Sequence, residues 1–559
     1  MNLLGKGSDP KFWCETVRDG ECYRPYVEAR LREWQTYCEG QTITELKYSD
    51  FKRFFVDGNR TVYESQYFKR RHMLCASSVL ALIYPEEQKY IDFLQDVIFA
   101  ICNEYTWCVP AHHPNLDENN NSFIDLFAAE TGFALAEIYA MLGDRLDKLT
   151  TERIKAEINI RIVESFMSDT YFWWEHRCTN NWTAVCGGSV ACTLMLMRPE
   201  LIEELKPRID VIMEHYLSGI YDDGYCLEGT GYWHYGFGFF AIYADMLKCF
   251  TDGADDYFKL PKVRAIATFI QKMFLSESAS VSFADGGTSL TYHIGLVHYL
   301  KQLYPDDVKV YSPNFSYDKD GCGRYCMLIR AATWLDPEIY AHPEDNCSAE
   351  YYGEDSKWYV KRTDSYGFAA KSGFNDEHHN HNDVGTFIFA KGGKQLITDM
   401  GKGLYCKQYF RANTRYDFIE CSSLGHSVPY FGDIIQKTGK EFSASDTVCR
   451  TGYFAADIAG AYGDERVKRI LREFCLTDTE LTMTDTFDYS GDAPITERFV
   501  SLIEPKAEGG KVIIGTAQLS YNDSCTPKIS SMENSNKKTV WFIDFTLPHS
   551  SKSFCIKLK

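Results

Sequence analysis

The densest concentration of chemically capable side chains in this sequence is His378-His379-Asn380-His381-Asn382-Asp383, three imidazoles and a carboxylate in six residues, followed by the apolar run Thr386–Ala390. Imidazole titrates near neutrality and ligates zinc, so such a cluster suits proton transfer, metal binding or both. A polar loop in solvent is the alternative. Downstream, Lys391-Gly392-Gly393-Lys394 has the composition of a hairpin turn. With Gly392-Gly393 at its tip, Thr386 pairs with Asp399, and Asp399 returns to the neighbourhood of His381–Asp383. His426, in Ser423-Leu424-Gly425-His426-Ser427, completes a His381/Asp399/His426 set with a fourth position open or held by water.

Three further stretches carry chemistry. Glu228-Gly229-Thr230-Gly231-Tyr232-Trp233-His234-Tyr235-Gly236, shortly after Asp222-Asp223-Gly224, is too rich in glycine and aromatics for a helix interior. It either presents phenols and an indole to a ligand or packs tyrosines between helices. Thr179-Asn180-Asn181-Trp182, ahead of Gly187-Gly188, places two amides where a helix should start; one can cap the helix and one can bind a carboxylate. The stretch from Trp107 to Asp125, with His112 and His113, can line the same cleft.

These residues need elements to hold them. Ile154, Ile158, Ile162 and Phe166 recur every fourth residue, which predicts a helix; Leu201, Leu205, Ile209, Ile212 and Tyr216 predict another before Ser218-Gly219. A third spans 124–142 and is expected to end on a left-handed Gly143. With short loops and no strand pattern between them, these helices imply antiparallel hairpins packed side by side. After about residue 340 the period becomes two: Leu481, Met483, Phe487 and Tyr489 alternate with polar residues, as do Trp541, Ile543, Phe545 and Leu547 with Phe542, Asp544 and Thr546. The expected fold is a helical domain over 1–340 followed by an antiparallel β domain over 341–559, the boundary falling within 336–354.

The 559 residues, 45% hydrophobic and 25% charged, exclude a disordered or collagen-like chain and suffice for two cores. A net charge of −19 argues against a nucleic-acid surface, although a cleft within it can be locally basic. The 20 cysteines include no Cys-x-x-Cys pair and read as reduced, mostly buried thiols. No leader-like or membrane-spanning apolar run precedes or interrupts the pattern, so the expectation is a cytoplasmic protein without membrane contact, a secreted mature form being the alternative.

Taken in order, the four motif stretches resemble the heparinase II/III family of polysaccharide lyases, over most of the chain from Trp107 to His426. The most specific part is His379-Asn380-His381-Asn382-Asp383-Val384-Gly385 followed by Asp399-Met400-Gly401. The resemblance implies an N-terminal incomplete α/α toroid, a C-terminal antiparallel β-sandwich, and β-elimination at a uronic acid in an acidic oligosaccharide or polysaccharide, with glycosaminoglycan-like chains favoured. It implies that Asn181 (register alternative Asn180) neutralises the uronate carboxylate, that Tyr235 (register alternative Tyr232) protonates the leaving oxygen, and that His379 is the imidazole partner. It implies a structural zinc ion on His381, Asp399 and His426. Trp182, Trp233, His234, His113, Arg177 and Arg415 are the accompanying candidates for substrate binding, with Lys402, Lys407 and Arg411 as further cations near the cleft. A homo-oligomer is left open. Two other classes compete: an α/α-toroid glycoside hydrolase using Asp223, Glu228 or Asp285 as paired carboxylic acids, and a carbohydrate-binding protein without turnover.

Overall fold

The computed structural model describes residues 2–117, 119–168, 171–311, 315–317, 321–521 and 525–559. Helices fill the first half at the predicted spacing. Ile154, Ile158, Ile162 and Phe166 are all buried, along a helix that passes from Lys148–Ile158 through a wider π turn at Asn159–Glu164 into Ser165–Met167. The expected 124–142 helix runs over Leu126–Leu142 and is capped by Asp125, whose carboxylate accepts the Ala128 N–H at 2.7 Å. Its end differs from expectation. Gly143 has φ −54° and is not left-handed, because the chain keeps winding right-handed through a 3-10 turn, Gly143–Arg145. This apolar helix packs on Asn181–Met197, which in turn packs on Ile202–Ser218 and Gly238–Phe250. Gly187 lets those neighbours meet: a Cβ there would lie 2.5 Å from Cγ2 of Ile212.

Short strands absent from the periodicity reading interrupt the helical half, notably Phe274–Ser276 paired with Ala279–Ser280. They lie against the β half and feed the 281–287 loop, which delivers Asp285 to the junction. The last helix is Pro337–Ala341 and the first strand of the β half is Ala349–Tyr352.

A five-stranded antiparallel sheet joins the halves, in the order Lys394–Ile397, Phe387–Lys391, Gly367–Lys371, Trp358–Arg362, Ala349–Tyr352. Both its faces are covered, and the period of two sorts its side chains. Trp358, Val360, Ala369, Ile388 and Ala390 belong to the core of the helical half. Tyr359, Phe368, Ala370, Phe387 and Phe389 face the β core, with Phe454, Phe474 and Phe499 of the sheets beyond. Those sheets have eight and four strands; the predicted strands are Leu481–Tyr489 in the first and Thr539–Leu547 in the second.

The Gly392-Gly393 hairpin forms, with Lys394 opposite Lys391 and Gln395 opposite Ala390 as expected. A bulge then shifts the register so that Ile397 faces Phe389, and Asp399 leaves the sheet and does not pair with Thr386. No described cysteine is disulfide-bonded.

Candidate active site

The helix Asn181–Met197 begins at the junction of the halves. Asn180 is its cap, its Oδ1 accepting the Trp182 N–H at 3.1 Å and the Cys178 thiol at 2.7 Å. Asn181 is the first helical residue and is 2% exposed. Its backbone N–H donates to Glu228 Oε1 at 3.1 Å and its Nδ2 to Glu228 Oε2 at 2.6 Å. Local capping therefore separates the two amides: Asn180 serves the backbone, and Asn181 is oriented by a buried carboxylate with a second amide hydrogen to spend.

His379 comes from the other half, and its backbone is left-handed, with φ +58°. Residues with a Cβ adopt that geometry at a cost, so their surroundings must hold them in it. The Lys371 ammonium does so from inside the fold, bonding Glu377 at 3.0 Å and Asp383 at 2.8 Å on either side of the turn. The ring so aimed lies between two carboxylates of the helical half. Its Nδ1 is 2.5 Å from Asp285 Oδ2 and its Nε2 is 3.7 Å from Glu228 Oε2, while one face stacks on Tyr232 at 4.2 Å.

Asp285 is the hub of this arrangement. Tyr405 and Tyr409 donate their phenols to it at 2.9 and 2.6 Å, His381 Nε2 lies 3.3 Å away and Arg415 3.5 Å away. Burial by itself would raise its carboxyl, but His379 and His381 hold it well below the usual carboxylate range.

Tyr232 and Tyr235 lie on successive turns and face different partners. The Tyr232 hydroxyl meets that of Tyr405 at 2.8 Å. Tyr235, in the π turn Trp233–Phe237, donates to Glu130 Oε1 at 2.5 Å, and the Arg324 guanidinium covers its ring at 3.7 Å while also bonding Glu130. Burial pushes the Tyr235 phenol well above its ordinary value; Arg324 opposes that and Glu130 adds to it. Tyr235 thus keeps its proton at neutral pH, as a proton donor must, beside a cation that favours its anion. Its neighbour Gly236 passes against the start of the Asn181 helix, where a Cβ would fall 3.1 Å from the Asn181 Cα.

The three candidate metal ligands also converge. The ligating atoms of His381, Asp399 and His426 all lie within 4.8 Å of one another, and all three residues are buried. His381 Nδ1, Asp399 Oδ2 and His426 Nδ1 have no hydrogen-bond partner among the described residues. The opposite atoms are engaged: His426 Nε2 with the Glu420 carbonyl at 2.9 Å, His381 Nε2 with Asp285, and Asp399 Oδ1 with the Gly401 N–H at 2.9 Å. Three buried N/O ligand atoms that face one another, His426 Nδ1 lying 3.1 Å from Asp399 Oδ2, with their outer atoms bonded, fit a zinc ion.

Other predicted residues stand elsewhere. Trp233 is core, its indole N–H donating to the Ile266 carbonyl at 2.8 Å, and His234 is wholly buried against it with Nδ1 on the Thr230 carbonyl at 2.9 Å. The π turn rotates both away from the cleft. His113 is buried with its ring nitrogens on the Asn115 and Asn120 carbonyls at 2.6 and 2.9 Å, so it holds a loop; its neighbour His112 lies against Trp182 at 4.6 Å. Arg415 braces the His379 turn through the Asn380 carbonyl at 3.0 Å. Arg177 is exposed beyond the helix Trp173–His176, and His378 is exposed with Nε2 3.1 Å from Thr179 Oγ1. Trp182 lies half-buried between His112 and Trp173, 4.8 Å from the latter. Sequence reasoning missed Glu130, Arg324, Tyr405 and Tyr409. Only Glu130 carried a signal, an acid inside the apolar run Leu126–Leu142, where a buried charge requires a partner. Of the further cations, Lys402 lies over the Tyr405 ring at 5.5 Å and Lys407 over the Phe54 ring at 5.2 Å, and Arg324 and Arg60 are paired with Glu130 and Glu64.

No family model and no curated protein matches the chain. Solved structures do. Heparinase III superposes over 98% of this chain and 93% of its own, with TM-score 0.62 and 12% identity. A mutant of the heparan sulfate lyase HepC from Pedobacter heparinus covers 96% and 82%, with TM-score 0.60 and 9% identity. The Streptomyces coelicolor A3 chondroitin AC lyase, solved in complex with chondroitin sulphate, covers 97% and 80%, with TM-score 0.56 and 9% identity. The chain has the fold of these lyases, a helical toroid followed by a β domain.

Proposed function

We propose that this protein is a polysaccharide lyase that cleaves uronate-containing glycans, glycosaminoglycan-like chains first among them, by β-elimination to leave a 4,5-unsaturated uronate. One observation carries the proposal: Asn181 and His379, from the two halves, meet on Glu228 at their junction, with Tyr232 stacked on the imidazole and Tyr235 on the next turn beside Arg324. Elimination needs these groups. The uronate carboxylate must be neutralised before its C5 proton becomes acidic, and the spare amide hydrogen of Asn181 is suited to that. A base must take the C5 proton. His379, with Nδ1 on Asp285 and Nε2 facing Glu228, is suited to that; Tyr235 could serve only as its phenolate, which Arg324 favours and burial opposes. An acid must protonate the C4 oxygen as it leaves, and Tyr235, which holds its proton, takes that role.

The carboxylates a hydrolase would use are otherwise engaged. Asp223 accepts the backbone N–H groups of Asp355 and Ser356 at 3.1 and 2.8 Å, Asp285 is enclosed by donors, and Glu228 holds Asn181. That supports elimination over hydrolysis. His381, Asp399 and His426 would hold zinc, whose bound charge would brace the loop bearing His379; no step of the elimination runs through it.

The decisive experiment incubates the protein with a panel of defined uronate oligosaccharides and follows near-ultraviolet absorbance together with reducing ends. Rise of both supports the lyase. Reducing ends without absorbance would establish a hydrolase, and binding without either would leave a carbohydrate-binding protein.

A further inference from the structure

The segment spanning residues 48–59 has no part in the chemistry above, and its packing is unusual. It consists of two short helices, Tyr48–Phe51 and Arg53–Asp57, closed by Gly58 at φ +76°, a left-handed position that glycine occupies freely. None of Arg53–Asp57 is buried, and Val56 is 76% exposed. Phe51 fixes the segment to the helical half, buried against Tyr63 and His113 at 5.2 and 5.7 Å beside a cavity of about 590 Å³ that these three residues line with Tyr48 and Leu116.

Its other contacts cross to the β half. The Lys407 ammonium lies 5.2 Å from the Phe54 ring centroid, and a Cβ on Gly58 would be 3.3 Å from Lys407 Cβ and 3.5 Å from Gln408 Oε1. Lys407 and Gln408 lie between Tyr405 and Tyr409, the two phenols bound to Asp285, and Tyr405 also meets Tyr232. Immediately after the segment, Arg60 bonds Glu64 at 2.7 and 2.9 Å. The segment therefore spans from one half to the other beside the reacting groups. The same side of the helical half carries aromatic rings: His113 packs on Phe51 at 5.7 Å, its neighbour His112 on Trp182 at 4.6 Å, and Trp182 leads to Trp173, 40% exposed, a ring on which a sugar can stack.

We propose that residues 48–59 form a strap that closes one end of the cleft, so that a glycan is cut near a chain end and not in its interior. This rests on the lyase reading and specifies the form of its substrate. The strap is anchored by the Phe54–Lys407 contact and by the close approach at Gly58.

The test is the size distribution of products from a long, end-labelled uronate oligosaccharide, sampled from the first turnovers while ultraviolet absorbance is followed. The expected result is one small fragment from the outset, with the remaining chain shortening stepwise. Phe54→Ala and Gly58→Val each loosen the strap by a different route, and each should raise the share of mid-length products several-fold at comparable total absorbance. Absorbance with mid-length products from the wild-type protein at the earliest times would overturn the strap and leave the lyase intact. Absence of absorbance on every uronate chain would overturn the lyase reading, and the strap proposal with it.

Discussion

Tyr235→Phe is the sharpest single perturbation of this site. The substitution removes one oxygen and leaves the ring, its packing and the Arg324 guanidinium 3.7 Å above it in place. Folding loses the 2.5 Å bond to Glu130, but Glu130 keeps its ion pair with Arg324, so no carboxylate is stranded and the stability cost should be near 1 kcal/mol. Catalysis loses far more. A positioned proton donor contributes about 10²–10⁴-fold, or roughly 2.7–5.5 kcal/mol of barrier. The control is Tyr232→Phe, which gives up only a phenol–phenol bond to Tyr405, while Tyr405 keeps Asp285. It should cost less than about tenfold, because no proton-transfer group is removed. The assay is the initial rate of ultraviolet absorbance on a saturating uronate oligosaccharide, with circular dichroism and thermal midpoint to establish folding. If Tyr235→Phe retains a third of wild-type kcat while Tyr232→Phe is silent, the two tyrosines have been assigned in the wrong register. If neither matters, no phenol is the acid.

Three other outcomes follow from the geometry. Asn181→Ala should lower kcat at least a hundredfold, since loss of one preorganised donor at a developing oxyanion costs about that much, and lower the thermal midpoint modestly, since buried Glu228 loses the amide and keeps the residue-181 N–H; a kinetic change confined to KM would show that the amide only binds. Elemental analysis of the purified protein should find about one zinc per chain, and His426→Ala or a strong chelator should remove it and lower the thermal midpoint. A metal-free wild-type protein, or equal zinc in His426→Ala, would dismiss these ligands. His298 is buried, accepting the Asp336 N–H at 3.1 Å, and burial lowers its pKa from 6.5 to about 4, against the pull of Asp336. Below pH 6.5 the unfolded chain binds a proton there that the folded chain refuses until near pH 4. Stability should be insensitive to this group above pH 6.5 and fall by roughly 3 kcal/mol between 6.5 and 4, and urea midpoints for His298→Asn against wild type should differ least at the acid end.

Much of the architecture was legible because burial imposes a period. Ile154, Ile158, Ile162 and Phe166 fall every fourth residue because one face of a helix is covered, and Leu481–Tyr489 alternates because one face of a sheet is. The His381/Asp399/His426 set was legible too, since the Gly392-Gly393 turn folds the chain back on itself. Where the sequence misled, a local backbone choice intervened. Trp233 and His234 looked ligand-facing beside Tyr232 and Tyr235, and a π turn put them in the core. His113 and His112 are adjacent and equivalent in composition, yet only His112 reaches Trp182.

The sequence by itself determined the element types, the order of a helical half and a β half, and the identity of the residues able to transfer protons or bind a metal, because those properties belong to side chains and their spacing. Which of them meet was decided only by the tertiary structure. Asn181, Glu228, Asp285 and His379 come from segments far apart in the chain, and they converge where a five-stranded sheet buries one face in each half. The final aim of each group depends on single torsions, such as the left-handed φ of His379. The buried Lys371 between Glu377 and Asp383 holds that turn in place, and no periodicity in the chain encodes it.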